Sequence, residues 1–187
     1  AVHLNKDLLA FRLPEAQALL GEPEAEAAAW LARLDGWTLA LSLLSRLPPS
    51  SERLPATEAH LFTYLRHAVF AQLSPQLSQF MQRTAVPLQF NASLAADLWP
   101  DAAEAETLFS AVLQNDLYLQ PAQKSGWFRY HDLIRDYLQQ QLGDERQAVA
   151  ETAVSWLWQQ DERHTAVEQA LDAGLTNRAA ELIGQIK

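Results

Sequence analysis

The sequence predicts a mainly α-helical chain with one small β-hairpin. Three observations lead there. Ala and Leu dominate while Gly and β-branched residues are sparse, a composition that favours helix. Apolar residues recur at helical spacing along most of the 187 residues. One short run breaks that rhythm: residues 127–130, Trp-Phe-Arg-Tyr, are of strand-forming type and pass directly into a stripe of Leu133, Ile134, Tyr137, Leu138 and Leu142.

Taken in order, residues 2–11 read as a short strand-like entry with Leu4, Leu8, Leu9 and Phe11 as candidate buried residues. Pro14 sits where the first turn of a helix tolerates proline, and that helix runs through Leu20 to Gly21. Pro23 opens a second helix with Ala27, Trp30, Leu31 and Leu34 on one face, closed by Gly36 as a C-terminal cap. Residues 36–47 form a third, with Leu39, Leu43, Leu44 and Leu47 apolar. This is a small helical domain, residues 1–47. Residues 48–57, with three prolines and two serines, break any helix and form a linker.

A second domain is expected over 58–143. Leu61, Leu65, Val69 and Leu73 step at helical spacing through residues 58–73, with Phe62 and Phe70 widening the stripe. Ser74 caps and Pro75 starts the next helix, through Thr84, with Leu77, Phe80 and Met81 inward. Asn91 or Ser93 caps a short helix ending near Trp99, and Pro100 and Asp101 start a longer one burying Leu108, Phe109, Val112 and Leu113. Residues 117–120 and 127–130 flank Pro-Ala-Gln-Lys-Ser-Gly, a hairpin loop. Helices followed by a two-stranded hairpin are the order of a winged helix. Residues 144–187 return to helix, with Val149, Ala153, Trp156 and Leu157 in one segment. Two short Ala-rich helices follow, broken at Gly174, where Ala166, Ala170, Ala179 and Ala180 suit close contact. They resemble the first turns of an α-solenoid.

Composition narrows function. A formal net charge of −9 repels polyanions, so nucleic-acid binding by the whole surface is disfavoured. The helix before the hairpin carries Asp101, Glu104 and Glu106. Residues 75–143 hold four basic residues, Arg83, Lys124, Arg129 and Arg135, against seven acidic ones. There are no cysteines, which excludes disulfides and thiolate metal sites and agrees with a cytoplasmic location. No apolar run reaches the length of a membrane span, and no signal peptide is visible. No phosphate-binding Gly-x-x-x-x-Gly-Lys loop or His-Glu-x-x-His helix is present, so neither a catalytic residue nor a metal ligand is expected. His60 and His67, a heptad apart, read as surface or half-buried, and Arg12 as a solvated arginine.

His131 and Asp132 stand at the junction of strand and helix. One reading makes them a helix start, with Asp132 complementing the helix dipole. The other makes His131 and Arg129, which an extended strand turns to one side, donors to an anion brought by another domain. Gly36 and Trp37 read as a helix break and an aromatic anchor.

The run Gly-Trp-Thr-Leu-Ala-Leu from 36, the proline-rich linker, the helices from His60 to Val86, Asn-Asp-Leu-Tyr-Leu-Gln from 115 and the strand-to-helix Tyr-His-Asp-Leu from 130 together resemble the MalT-like branch of the STAND signal-transduction ATPases. These are large LuxR-type, ATP-dependent transcriptional regulators. The resemblance covers nearly the whole chain and implies a middle region of such a protein, itself without ATPase activity, between a P-loop domain and a superhelical sensor. It implies that His131, with Asp132, matches the Met-His-Asp-like motif whose histidine touches the β-phosphate of ADP in the resting state. Tyr130 replaces the methionine. Gly36 matches a Gly-x-Pro motif that packs on adenine, with Thr38 where proline is expected. ADP or ATP would then bind in the full-length protein and not to this region alone. A small-molecule inducer would act elsewhere, and the active state would self-oligomerise. The alternative is a helical protein–protein adaptor with no nucleotide role, using Trp156 and Trp158 as anchors.

Overall fold

The computed structural model describes residues 11–34, 38–46, 59–60, 62–114 and 119–186. The expected entry at 2–10, Gly36 and Trp37, and the linker at 48–57 lie outside them. The chain divides into two compact units, Ala1–Gln72 and Leu73–Lys187, so the division falls after the proline-rich stretch and places residues 58–72 in the first unit.

In the first unit α1 (Leu13–Leu20), α2 (Glu24–Leu34) and α3 (Thr38–Ser45) pack on one another. Pro14 lies in the first turn of α1, and Gly21 closes it at φ 65°, a left-handed corner that glycine adopts without strain. Arg12 sits at the N-cap of α1, where its backbone N–H donates to Glu15 Oε2 at 2.8 Å. Among the described residues of these three helices, Ala16, Leu20, Ala27, Leu34, Leu41 and Leu44 are buried.

The segment expected as one regular helix over 58–73 departs from that expectation. It widens into a π-turn at Leu65–Val69 and tightens to a 3-10 turn at Phe70–Gln72. The Phe70 N–H reaches both Arg66 O and Leu65 O. Leu65 and Phe70, five residues apart, are both buried, and i→i+5 bonding brings residues at that separation to one side. A regular helix would turn them apart.

The second unit begins with α4 (Pro75–Thr84), whose N-cap Ser74 accepts from the Leu77 N–H at 3.2 Å. α5 (Ala92–Asp97) is capped by Asn91, which accepts from the Leu94 N–H at 2.9 Å. α6 (Ala102–Gln114) follows, with Asp101 Oδ1 accepting from the N–H groups of Ala103 and Glu104. Ala105, Leu108 and Val112 are buried there, whereas Leu113, expected inside, is 38% exposed.

The hairpin is β1 (Leu119–Pro121) antiparallel to β2 (Phe128–Tyr130), with Leu119 opposite Tyr130 and Pro121 opposite Phe128. Pro121, expected in the loop, belongs to the strand. A third strand, which the sequence did not announce, is reduced to one residue: Phe90 and Phe128 exchange both backbone hydrogen bonds at 2.8 Å. The resulting order of helix, short strand, two helices and hairpin is that of a winged helix.

Then come α7 (Asp132–Leu142), α8 (Glu145–Gln159), α9 (Arg163–Asp172) and α10 (Thr176–Gln185). α7 packs on α4, α8 on α5 and α9, and α9 on α10. The C-terminal helices therefore share one compact unit with the winged helix. Ala166, Ala170 and Ala179 are buried, as their size suggested, but Ala180 is exposed.

An aromatic cluster forms the winged-helix core. Phe90 stacks on Tyr130 at 5.4 Å, Phe109 meets Phe128 edge-on at 5.8 Å, and Phe80 meets Trp99 edge-on at 5.7 Å. Such pairs add about 0.5–1.5 kcal/mol each beyond their burial.

Candidate functional site

The junction between β2 and α7 is built from its backbone outward. Tyr130, the last residue of the strand, is 2% exposed. Its hydroxyl shares a hydrogen bond with Thr84 Oγ1 at 3.0 Å, and Thr84 Oγ1 also lies 2.9 Å from Phe80 O. Burial pushes the phenol well above its ordinary pKa, and the Thr84 contact opposes this only in part. Tyr130 is a neutral anchor at any physiological pH.

His131 follows at φ −56° and ψ 138°, the non-helical N-cap of α7. Its Nδ1 accepts from the Leu133 N–H at 3.3 Å, satisfying one of the donors that a helix start leaves open. An accepting Nδ1 carries no proton, so the neutral ring holds its proton on Nε2. The residue is 6% exposed. Asp132 opens the first turn, where a carboxylate complements the helix dipole. The expectation of a helix start is met in full.

Arg129 and His131 are not brought together on an open face. Arg129 is exposed and donates across the hairpin to Gln120 Oε1 at 3.0 Å, while His131 turns inward as a cap. The strand ends at Tyr130, so the alternation that put both on one side stops before His131. In chemistry, an imidazole N–H fits a phosphate oxygen. Gly36, the third candidate, lies outside the described residues. His60 and His67 are exposed. Among the described residues no group of His, Cys, Asp and Glu could hold a metal ion, and no helix is long and apolar enough to cross a membrane.

The wing is engaged within the chain. Lys124, its one basic residue, pairs with Glu162 and lies 5.0 Å from the Trp127 ring centroid, while Trp127 packs against Trp156 at 6.2 Å. Trp158 lies under the Arg163 guanidinium at 5.2 Å. The two tryptophans expected as partner anchors thus make contacts inside this unit, and both are half-buried. On α6, Glu104 accepts from Trp99 Nε1–H at 2.8 Å, so its face stays acidic.

Sequence reasoning missed a polar cluster behind the junction. Ala85 O accepts from Gln139 Nε2 at 2.8 Å and Arg135 Nε at 3.2 Å. Val86 O accepts from an Arg135 terminal nitrogen at 3.0 Å and Gln169 Nε2 at 3.2 Å. The Leu88 N–H donates to Gln169 Oε1 at 2.7 Å, and Arg135 pairs with Asp172 at 2.5 Å. The readable signal was a glutamine in an apolar stripe: Gln139 beside Leu138 and Leu142, and Gln169 between Ala166 and Ala170.

Against this geometry, residues 66–151 match the family model described as the MalT winged helix domain. The central segment is thus similar to the winged helix domain of MalT-type proteins. Its relatives include the serine/threonine-protein kinase PknK of Mycobacterium tuberculosis, 28% identical over 97% of this chain, and the same protein of Mycobacterium bovis at the same identity. The HTH-type transcriptional regulator MalT of Vibrio campbellii is 25% identical over 81% of this chain. The chain spans 18% of the length of each.

Proposed function

We propose that this chain is a regulatory region of a large, cytoplasmic, ATP-dependent transcriptional activator. In this reading it acts as an interdomain switch that holds an ADP-bound resting state. The MalT-type winged helix and the MalT relatives support the class. The observation that supports the switch is the position of His131 at the strand-to-helix junction, where its imidazole caps α7 and where an imidazole N–H would serve as a donor. That donor would meet a β-phosphate oxygen of ADP held by an upstream P-loop domain. Exchange for ATP, aided by an inducer on a downstream sensor, would release the contact and permit self-oligomerisation. A few kcal/mol of differential binding suffices to shift such an equilibrium strongly.

The test compares two variants in the full-length protein. His131→Ala removes both cap and donor, while His131→Ser restores the cap with a side chain too short to replace the ring. Both should release ADP faster and raise inducer-independent transcription. If both retain ADP with unchanged basal activity, the switch reading fails.

A second reading has its own support. His131 is 6% exposed and serves as a cap, and the kinase relative matches over nearly the whole chain. On that reading the region is a helical adaptor for a protein partner with no nucleotide role. Loss of partner binding on surface substitution, with no nucleotide dependence, would favour it.

A further inference from the structure

The polar cluster on residues 85–88 ties α9 to α7 and to the loop after α4 within the second unit. Gln169 is 1% exposed and uses both ends of its side-chain amide, one on Val86 O and one on the Leu88 N–H. From these contacts we infer that the cluster is a coupling device through which displacement of α9 reaches the His131 end of α7. This does not depend on what His131 contacts.

Two physical links run from the cluster to that end. The first is Arg135. Its side chain holds Ala85 O, Val86 O and Asp172 of α9, while its backbone N–H donates to His131 O at 2.9 Å. The second is the short segment from Leu88 to Phe90, whose backbone is paired in both directions with Phe128, three residues before His131. The cluster therefore flanks the junction from the helix side and the strand side. It is also all-or-none. A glutamine that satisfies a carbonyl and an N–H simultaneously does so in one register, and a shift of α9 would take the Gln169 acceptor from the Leu88 N–H and leave Val86 O with Arg135 alone. Intermediate positions are disfavoured, which is the property a two-state element needs.

The test is residue-resolved amide hydrogen exchange on the 187-residue chain, with rates compared to the Phe80 and Leu138 amides as reporters of global opening. Gln169→Leu removes both hydrogen bonds. The Leu88 amide should exchange about tenfold faster, the scale set by one net hydrogen bond. The Leu133 amide, which is held by His131, should accelerate beyond the two reference amides. Leu171→Ala, on the same helix at a side chain 54% exposed, should leave Leu133 unchanged. Acceleration confined to residues 86–88, or a rise at Leu133 no greater than at the references, overturns the inference. Should Gln169→Leu fail to fold, Asp172→Asn decides by the same comparison. It weakens only the Arg135 contact and should raise Leu133 exchange to a smaller degree.

Discussion

At the scale of single residues, the junction is held by groups whose chemistry is already committed. The buried Tyr130 phenol binds its proton more tightly in the folded chain than in the unfolded one. Its contribution is therefore complete below the ordinary tyrosine pKa of about 10 and is lost as pH rises above it. Alkaline denaturation should begin near that pH. Tyr130→Phe should remove this component of the pH dependence while lowering stability at neutral pH by about 1 kcal/mol, through the loss of the Thr84 hydrogen bond. Denaturant unfolding at a series of pH values checks both. His131→Ala should lower stability by about 1 kcal/mol as a lost cap, and His131→Ser should recover most of it. Equal stability of the two variants would deny the cap its role. The identity of these residues was legible in sequence, because a strand-type run meeting a helical stripe marks a junction. Their burial was not, because burial depends on Thr84, Phe90 and Phe109 arriving from elsewhere in the chain.

At the scale of elements, most helices announced themselves by period and punctuation. Ser74 and Asn91 cap as read, and Gly21 and Gly174 are left-handed corners. Gly143 joins α7 to α8 at φ 61° and ψ −131°, where a side chain is strained even though no atom lies within 4 Å of an added Cβ. Gly143→Ala should therefore cost about 1–3 kcal/mol through backbone conformation alone, visible as a lower thermal midpoint with unchanged helix content. Elsewhere local pattern was insufficient. The stripe over 58–73 matched a regular helix, yet Leu65 and Phe70 are buried together through a π-turn. The Phe90 strand carried no signal, since one residue cannot show alternation and its pairing with Phe128 is a long-range event.

At the scale of the molecule, the winged helix is a packing hub. Its wing is held by Glu162 and Trp156, and its loop at 85–88 by Arg135, Gln139 and Gln169. With an acidic α6 and its wing lysine engaged, the chain should show no salt-sensitive affinity for duplex DNA. Fluorescence anisotropy at two salt concentrations checks this, and a steep salt slope would contradict it. The second unit should also unfold in one transition, with α7 and α9 losing amide protection together.

What the amino-acid order determined by itself was local: where helices start and stop, that one hairpin interrupts them, that the surface is acidic, and that a histidine stands at a strand-to-helix junction. Those properties rest on backbone preference and short-range periodicity, which neighbouring residues carry. Only the tertiary structure decided that the histidine at this helix start is buried, that the C-terminal helices share a core with the winged helix, and that two glutamines are buried on backbone carbonyls. Each of these requires partners dozens of residues away, and a buried amide is tolerated only where such partners complete its hydrogen bonds.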